Sequence, residues 1–221
     1  VSASQGARSI RKYRIQIQHN IKCKMQDGTE LATDVYMPIE GGPFPTIVTR
    51  TPYDKYSELT IEEWVHRAQQ GYAIVTQDVR GRYESQGKFY PMRNEVSDGA
   101  DCIDWVSQQP WCNGMIGTVG GSYVGLTQWQ AAQNSSKIVC SVPQVSYSNL
   151  YHNWIYTGGA FQLAFNTSWG IATGSRGHQR QYLSFPDEIS QATLFRHLPL
   201  ATIDERSGRK IPHLRDWINH P

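Results

Sequence analysis

Gly117-Thr118-Val119-Gly120-Gly121-Ser122-Tyr123-Val124-Gly125 joins an apolar run, Met115 to Val119, directly to a segment of helical composition, Tyr123 to Gln133. Three glycine-rich devices connect a strand to a helix in this way. A P-loop needs a lysine after its last glycine, and none is present. A dinucleotide fingerprint needs G-x-G-x-x-G, a spacing that glycines 117, 120, 121 and 125 do not give. The third device is a nucleophile elbow, in which a serine sits on a sharp, strained turn and needs small neighbours. Gly120 stands two residues before Ser122, as an elbow requires, whereas Val124 holds the position two after it and Gly125 follows one later. The helix that starts at Tyr123 would point free N–H groups and its positive dipole end at the serine oxygen. On these residues alone, a tight glycine turn with an inert serine stays open beside the elbow.

The flanking sequence sets this turn in a strand–helix alternation. Tyr13 to Met25 alternates, with Ile15, Ile17, His19, Ile21 and Cys23 expected on one face of a half-buried strand. Asp27-Gly28 predicts a hairpin turn, and Thr29 to Met37 the returning strand. Thr46 to Arg50, Tyr72 to Thr76, Met115 to Val119 and Ile138 to Val142 are short runs of the kind buried inside a largely parallel sheet. Between them, Ile61 to Gln70 is helical and ends at Gly71. Asn94 is placed to cap a helix from Glu95 to about Gln108, with Val96, Ala100, Ile103 and Val106 on one face. Asp98, Asp101 and Asp104 share a polar flank of that helix, read as a solvated face rather than a metal site. This alternation predicts an α/β fold with helices on both faces of the sheet. After Pro143 the pattern changes. Residues 145–221 are rich in Trp, Tyr, Phe, His and Gln, with no strand-like run, and predict short helices joined by Gly and Pro turns. The expected organisation is therefore a sheet core over 1–144 and a helical cap over 145–221.

Composition narrows the function classes. The 221 residues are 39% hydrophobic, 11% aromatic and 18% charged. That is enough apolar surface for a packed core. Twenty-one basic against nineteen acidic side chains, with no basic block, give no electrostatic footprint for nucleic acid or an anionic membrane. No apolar run approaches the roughly 20 residues of a membrane span. Cys23, Cys102, Cys112 and Cys140 form no C-x-x-C pair and lie at no zinc-finger spacing from histidine, so free, mostly buried thiols are expected. Neither a metal nor a cofactor is expected.

Several further motifs occur in order along the chain: Asp27-Gly28-x-x-Leu31-Ala32-Thr33-Asp34-Val35-Tyr36, Thr51-Pro52-Tyr53-Asp54-Lys55, Gln77-Asp78-Val79-Arg80-Gly81 with Ser85-x-Gly87-x-Phe89, Trp111-Cys112-x-Gly114, and Gly120-x-Ser122-Tyr123-x-Gly125-x-Thr127-x-Trp129. Together they resemble the cocaine-esterase and X-prolyl dipeptidyl-peptidase type (CocE/NonD) of serine hydrolase, a group that includes α-amino-acid ester hydrolases and glutaryl cephalosporin acylases. The resemblance is dense over residues 13–145 and weaker beyond, through Leu198-Pro199-Leu200 and Asp216-Trp217 to His220-Pro221. It accounts for the displaced glycine, because that group's own elbow reads G-x-S-Y-x-G.

The resemblance implies an α/β-hydrolase core followed by the start of a helical cap. It implies that Ser122 is the nucleophile, forming an acyl-enzyme with an ester or amide carbonyl. It further implies that the backbone N–H of Tyr123 and the phenol of Tyr53 are the oxyanion donors. Asp78 and Arg80 are read as an architectural loop network. Trp154, Phe161, Phe165 and Trp169 are read as packing in the cap, with an acyl-group pocket as the alternative. In α/β-hydrolases the acid and the histidine of the triad follow the serine on later strands. No later strand is evident after Val142. Asp187, Asp204 and Asp216, with His152, His178, His197, His213 and His220, fall in cap-like sequence, and a dyad such as Asp204 with His213 is not expected. The acid and base are therefore expected beyond Pro221, in a missing C-terminal segment or a second chain, with the 221-residue piece inactive alone. A small ester or amide is the expected substrate, and a homo-oligomer is compatible with the chain. A non-catalytic binding module on a hydrolase-like core and an X-Pro dipeptidyl-peptidase are the competing functions. Val124, where an amino-acid ester hydrolase would favour an acid to meet the substrate ammonium, counts against that substrate class. Nothing in the sequence decides the compartment.

Overall fold

The computed structural model describes residues 13–56, 58–177, 193–208 and 210–220. Six strands form one sheet: β1 (Ile15–Lys24), β2 (Glu30–Pro38), β3 (Phe44–Thr51), β4 (Ala73–Asp78), β5 (Cys112–Gly121) and β6 (Ile138–Gln144). Their order is β1-β2-β4-β3-β5-β6. The β1–β2 hairpin joins antiparallel to β4, and β4, β3, β5 and β6 run parallel. Parallel neighbours need crossover connections. Helices α1 (Glu58–Ala68), α2 (Glu95–Ser107) and α3 (Tyr123–Asn134) supply them.

Side chains of successive strand residues point to opposite faces, and the core divides accordingly. Tyr36 and Ile74 meet Trp64 and Ala68 of α1 on one face, while Val35, Val48, Val75 and Ile116 meet Cys102, Ile103 and Val106 of α2 on the other. The α3 helix lies against α2, where a Cβ on Gly99 would stand 2.7 Å from that of Ala131. This is the expected α/β arrangement.

Four local expectations are corrected. The alternation of β1 does not hold to one face, because the register slips by one residue between Gln18 and Ile21. The extra residue is a β-bulge at Asn20, whose φ is 53°. Ile15 packs with Tyr36 on the α1 side, whereas Ile21 packs with Val35 on the α2 side. Asn94 does precede α2, but its side chain makes no capping hydrogen bond. The three acids of α2 are not one solvated face: Asp98 is 1% exposed and binds Arg80, Asp101 accepts from the Gln26 N–H, and Asp104 pairs with Lys137. The four thiols are free as expected, yet only Cys23 and Cys102 are buried, and Cys140 is exposed.

Beyond β6, a π-helical turn (Tyr151–Ile155) leads into a small hairpin, β7 (Tyr156–Thr157) with β8 (Ala160–Phe161), where no strand was expected. Helix α4 (Leu163–Thr173), a 3-10 helix (Leu200–Ser207) and α5 (Pro212–Asn219) follow. Trp154, Ile171, Ile211, Leu214 and Trp217 from this part form one apolar cluster with Val79 and Met92 of the loop after β4 and Tyr123 and Leu126 of α3. The segment thus closes over the loops that follow β3, β4 and β5, on the side where ligands bind in open α/β sheets.

Candidate active site

Ser122 occupies the turn between β5 and α3 with φ 56° and ψ −125°. A non-glycine residue enters that region only at a cost. The Ser122 backbone is held on both sides, its N–H donating to Gln144 O at 2.9 Å and its carbonyl accepting from Gly125 at 3.0 Å and Leu126 at 3.1 Å. The side chain is exposed. The flanking glycines have steric reasons. Gly120 has φ 146°, and a Cβ there would overlap the Val124 side chain. A Cβ on Gly125 would stand 2.7 Å from Cβ of Ser146 and 3.2 Å from Gln144 O. The glycine demanded after the serine therefore lies where α3 touches the end of β6, which is the third position and not the second.

Tyr53 comes from the loop after β3. Its N–H donates to Thr51 Oγ1 at 3.0 Å, and its phenol oxygen accepts from Trp169 Nε1 at 3.1 Å. Burial pushes the phenol above its ordinary value, against the opposing influence of Trp169, Ser122 and Arg82. The group is thus a neutral hydroxyl at physiological pH, with Trp169 donating to its oxygen. The loop is fixed from beneath. Arg82, fully buried, donates Nε–H to Pro52 O at 2.8 Å and Nη1–H to Thr173 O at 2.8 Å, and it also reaches Ser175 O. Asp78, read as architectural, accepts from the Lys55 N–H at 3.0 Å. Burial raises Asp78 to about 7 despite the nearby Lys55. Arg80 binds Asp98 and Asp27, consistent with the same reading.

Tyr123 contributes its two ends differently. As the first residue of α3 its N–H has no intrahelical acceptor. Its ring is buried, donating from the phenol to Glu95 Oε1 at 2.9 Å and accepting from Met92 N at 2.8 Å, while Glu95 pairs with Arg50 at 2.8 Å. That network anchors the start of α3 to α2. The Tyr123 ring stacks on Trp169 at 6.0 Å and meets Tyr53 edge-on at 6.4 Å.

Three residues that matter here were not singled out as site groups by the sequence. Tyr147, just past β6, is a second phenol near Ser122, whose hydroxyl lowers its pKa against the other influences. Burial and the adjacent Tyr53 push it up to about 12. Arg82 is the buried brace described above. Trp169, expected to be packing, holds the Tyr53 hydroxyl. Of the other aromatics beyond β6, Trp154 is buried packing, Phe161 rests on Tyr156, and Phe165 is half-exposed against Trp154. On the α1 side the turn at Ser122 borders a cleft of about 270 Å³ lined by Thr51, Asp54, Glu63, Arg67 and Val124.

No second half of a triad meets Ser122 among the described residues. Asp204 is occupied by Arg215 and by the Ile211 N–H, and Asp216 accepts from Tyr90. Both Asp204 and His213 are buried and not on the surface, yet His213 Nε2 has no hydrogen-bond partner and the two make no dyad. His197 bonds Thr202 and Arg206, His220 bonds its own helix, and His152 is exposed. Asp187 and His178 lie outside the described residues.

The family model for the X-Pro dipeptidyl-peptidases (S15 family) matches residues 27–221. The chain belongs to the S15 family. The cocaine esterase of Rhodococcus sp. (strain MB1 Bresler) is 34% identical to this S15 chain over 165 residues, covering 72% of the chain and 29% of the esterase. The chain therefore spans about 29% of that relative's length. Two crystal structures share the fold. An aminopeptidase from a marine sediment archaeon (Thaumarchaeota archaeon) superposes with a TM-score of 0.72 at 22% identity, over 99% of this chain and 40% of its own. A CocE/NonD family hydrolase from Staphylococcus aureus gives 0.67 at 22%, over 80% and 35%. With the observed sheet order, these likenesses establish the S15 chain as an α/β-hydrolase core.

Proposed function

We propose that this S15-family chain carries the nucleophile and oxyanion hole of a serine hydrolase acting on carboxylic esters or acyl amides through an acyl-enzyme on Ser122. One observation carries the reading: an exposed serine on a strained strand-to-helix turn faces a half-buried, neutral Tyr53 phenol whose oxygen accepts from Trp169. In the reaction, Ser122 Oγ attacks the substrate carbonyl carbon while a general base removes its proton. The carbonyl oxygen gains negative charge and is stabilised by the Tyr123 N–H and the Tyr53 O–H, donors already in place before charge develops. Collapse expels the alcohol or amine, which takes the proton from the base, and water then repeats the sequence on the acyl-enzyme. The base and its orienting acid are assigned to parts of the enzyme outside the described residues.

The acyl group is proposed to be small or aromatic, since Tyr147 beside the serine stacks on Trp154, Trp169 meets Tyr53, and no acid of the elbow meets a substrate ammonium. The esterase relative supports esters ahead of X-Pro peptides, which the family description keeps as the second class. Hydrolysis of p-nitrophenyl acetate and butyrate, with fluorophosphonate labelling, tests the reading. Ser122→Ala is expected to abolish both turnover and labelling. Undiminished turnover in that variant would assign catalysis to other residues, and no turnover or labelling in the native enzyme would favour a binding module.

A further inference from the structure

We infer that Lys55 is a positioning residue for the Tyr53 hydroxyl, its ammonium buried between the carboxylates of Asp34 and Asp78 and so anchoring the loop that carries the oxyanion donor. The inference rests on the role proposed above for Tyr53. Lysine is almost never fully buried unless paired, yet Lys55 is 0% exposed. Its Nζ lies 3.3 Å from Asp34 Oδ1 and 3.8 Å from Asp78 Oδ2, and 3.5 Å above the Tyr56 ring. Asp34 belongs to β2 and Asp78 ends β4, so one side chain ties the loop after β3 to two other strands. The backbone is tied as well, through the Lys55 N–H on Asp78 Oδ1 at 3.0 Å. Asp34 is itself fixed by the His19 imidazole at 2.7 Å and the Asn20 N–H at 2.9 Å.

A buried ion pair adds little stability that an apolar residue of similar volume would not. The arrangement is better explained by what it holds. Tyr53 lies two residues before Lys55, and Asp54 between them has φ 91°. Such a conformation persists only where its surroundings over-determine it. With Arg82 on Pro52 O, the backbone is gripped immediately before and shortly after the tyrosine. The phenol can then be aimed at a transition-state oxygen without reorganising during the reaction.

A double-mutant cycle on ester hydrolysis by the full enzyme separates positioning from general structural damage. Tyr53→Phe is expected to lower kcat by roughly 10²–10³-fold, the usual loss for an oxyanion donor. Lys55→Met is expected to lower kcat at least tenfold with KM little changed, and to have less than a twofold effect in the Tyr53→Phe background. Equal losses in both backgrounds, or a wild-type kcat in Lys55→Met, overturn the inference. If Lys55→Met does not fold, Asp34→Asn replaces it in the cycle with the same expectations. A Tyr53→Phe enzyme with unchanged kcat removes the donor and the inference together, whereas turnover surviving Ser122→Ala overturns the hydrolase reading itself.

Discussion

Tyr147 stacks on Trp154 with centroids 5.3 Å apart and planes at 13°, which fixes its ring. Burial pushes its phenol up to about 12 and so keeps it protonated beside Ser122. It adds a second neutral hydroxyl to the one contributed by Tyr53. Tyr147→Phe retains the stack and removes only that hydroxyl. A fall in kcat/KM of about tenfold is expected, on the order of one hydrogen bond to developing charge, with an unchanged melting temperature. Steady-state kinetics and a thermal scan check both. The reason that Tyr147 and Trp169 were hidden in the sequence is distance along the chain. Trp169 reaches Tyr53 across 116 positions, and no local spacing encodes such a contact. Tyr147 arrives because Gly121 pairs with Gln144 in the β5–β6 register. Ser122, by contrast, announces itself through neighbours whose size its own turn dictates.

At the scale of elements, the strands' places along the chain were legible because each apolar run is short, β-rich and bounded by turn residues. The path of β1 was not, since a uniform alternation gives no sign of an inserted residue. Asn20 makes the bulge, and asparagine is one of the few side chains at ease with positive φ. A β-branched residue is not. Asn20→Val is expected to cost about 1–3 kcal/mol, while Asn20→Gly stays within about 0.5 kcal/mol. Urea unfolding measures both. The solvated face expected for α2 failed for a related reason. Periodicity marks Asp98 as polar but cannot reveal that Arg50 and Arg80 converge on it from two other elements. The hairpin β7–β8 escaped because two-residue strands carry no pattern to read.

Across the whole molecule, His213 sits where the C-terminal helices meet the loops of the sheet, edge-on or tilted to Phe89, Tyr90, Trp169 and Trp217. Burial holds it down to about 4, against the pull of Asp216 and Asp204 and with the help of Arg82. Its depressed value means that the unfolded chain takes up the proton first. Its contribution to stability is complete above about 6.5 and is lost as pH falls from there through about 4. The loss amounts to about 3 kcal/mol at most. Asp78, raised to about 7, runs the other way, weakening the fold as pH rises from 3.8 through that value. The difference between two proteins isolates the histidine. His213→Phe, which fills the same aromatic box, is expected to lose less stability than the native chain between pH 6.5 and 4, read as melting temperature against pH.

Arg82 has a consequence for how substrate gains access. Its guanidinium joins the carbonyls of Pro52, Thr173 and Ser175, so raising the end of α4 away from the sheet would break its bonds to Thr173 and Ser175. Breaking hydrogen bonds to a buried cation is costly. Above the serine the molecule behaves as a vault with a fixed keystone. For the proposed hydrolase, substrates are therefore expected to be sorted by their fit to the aromatic walls and not by displacing α4.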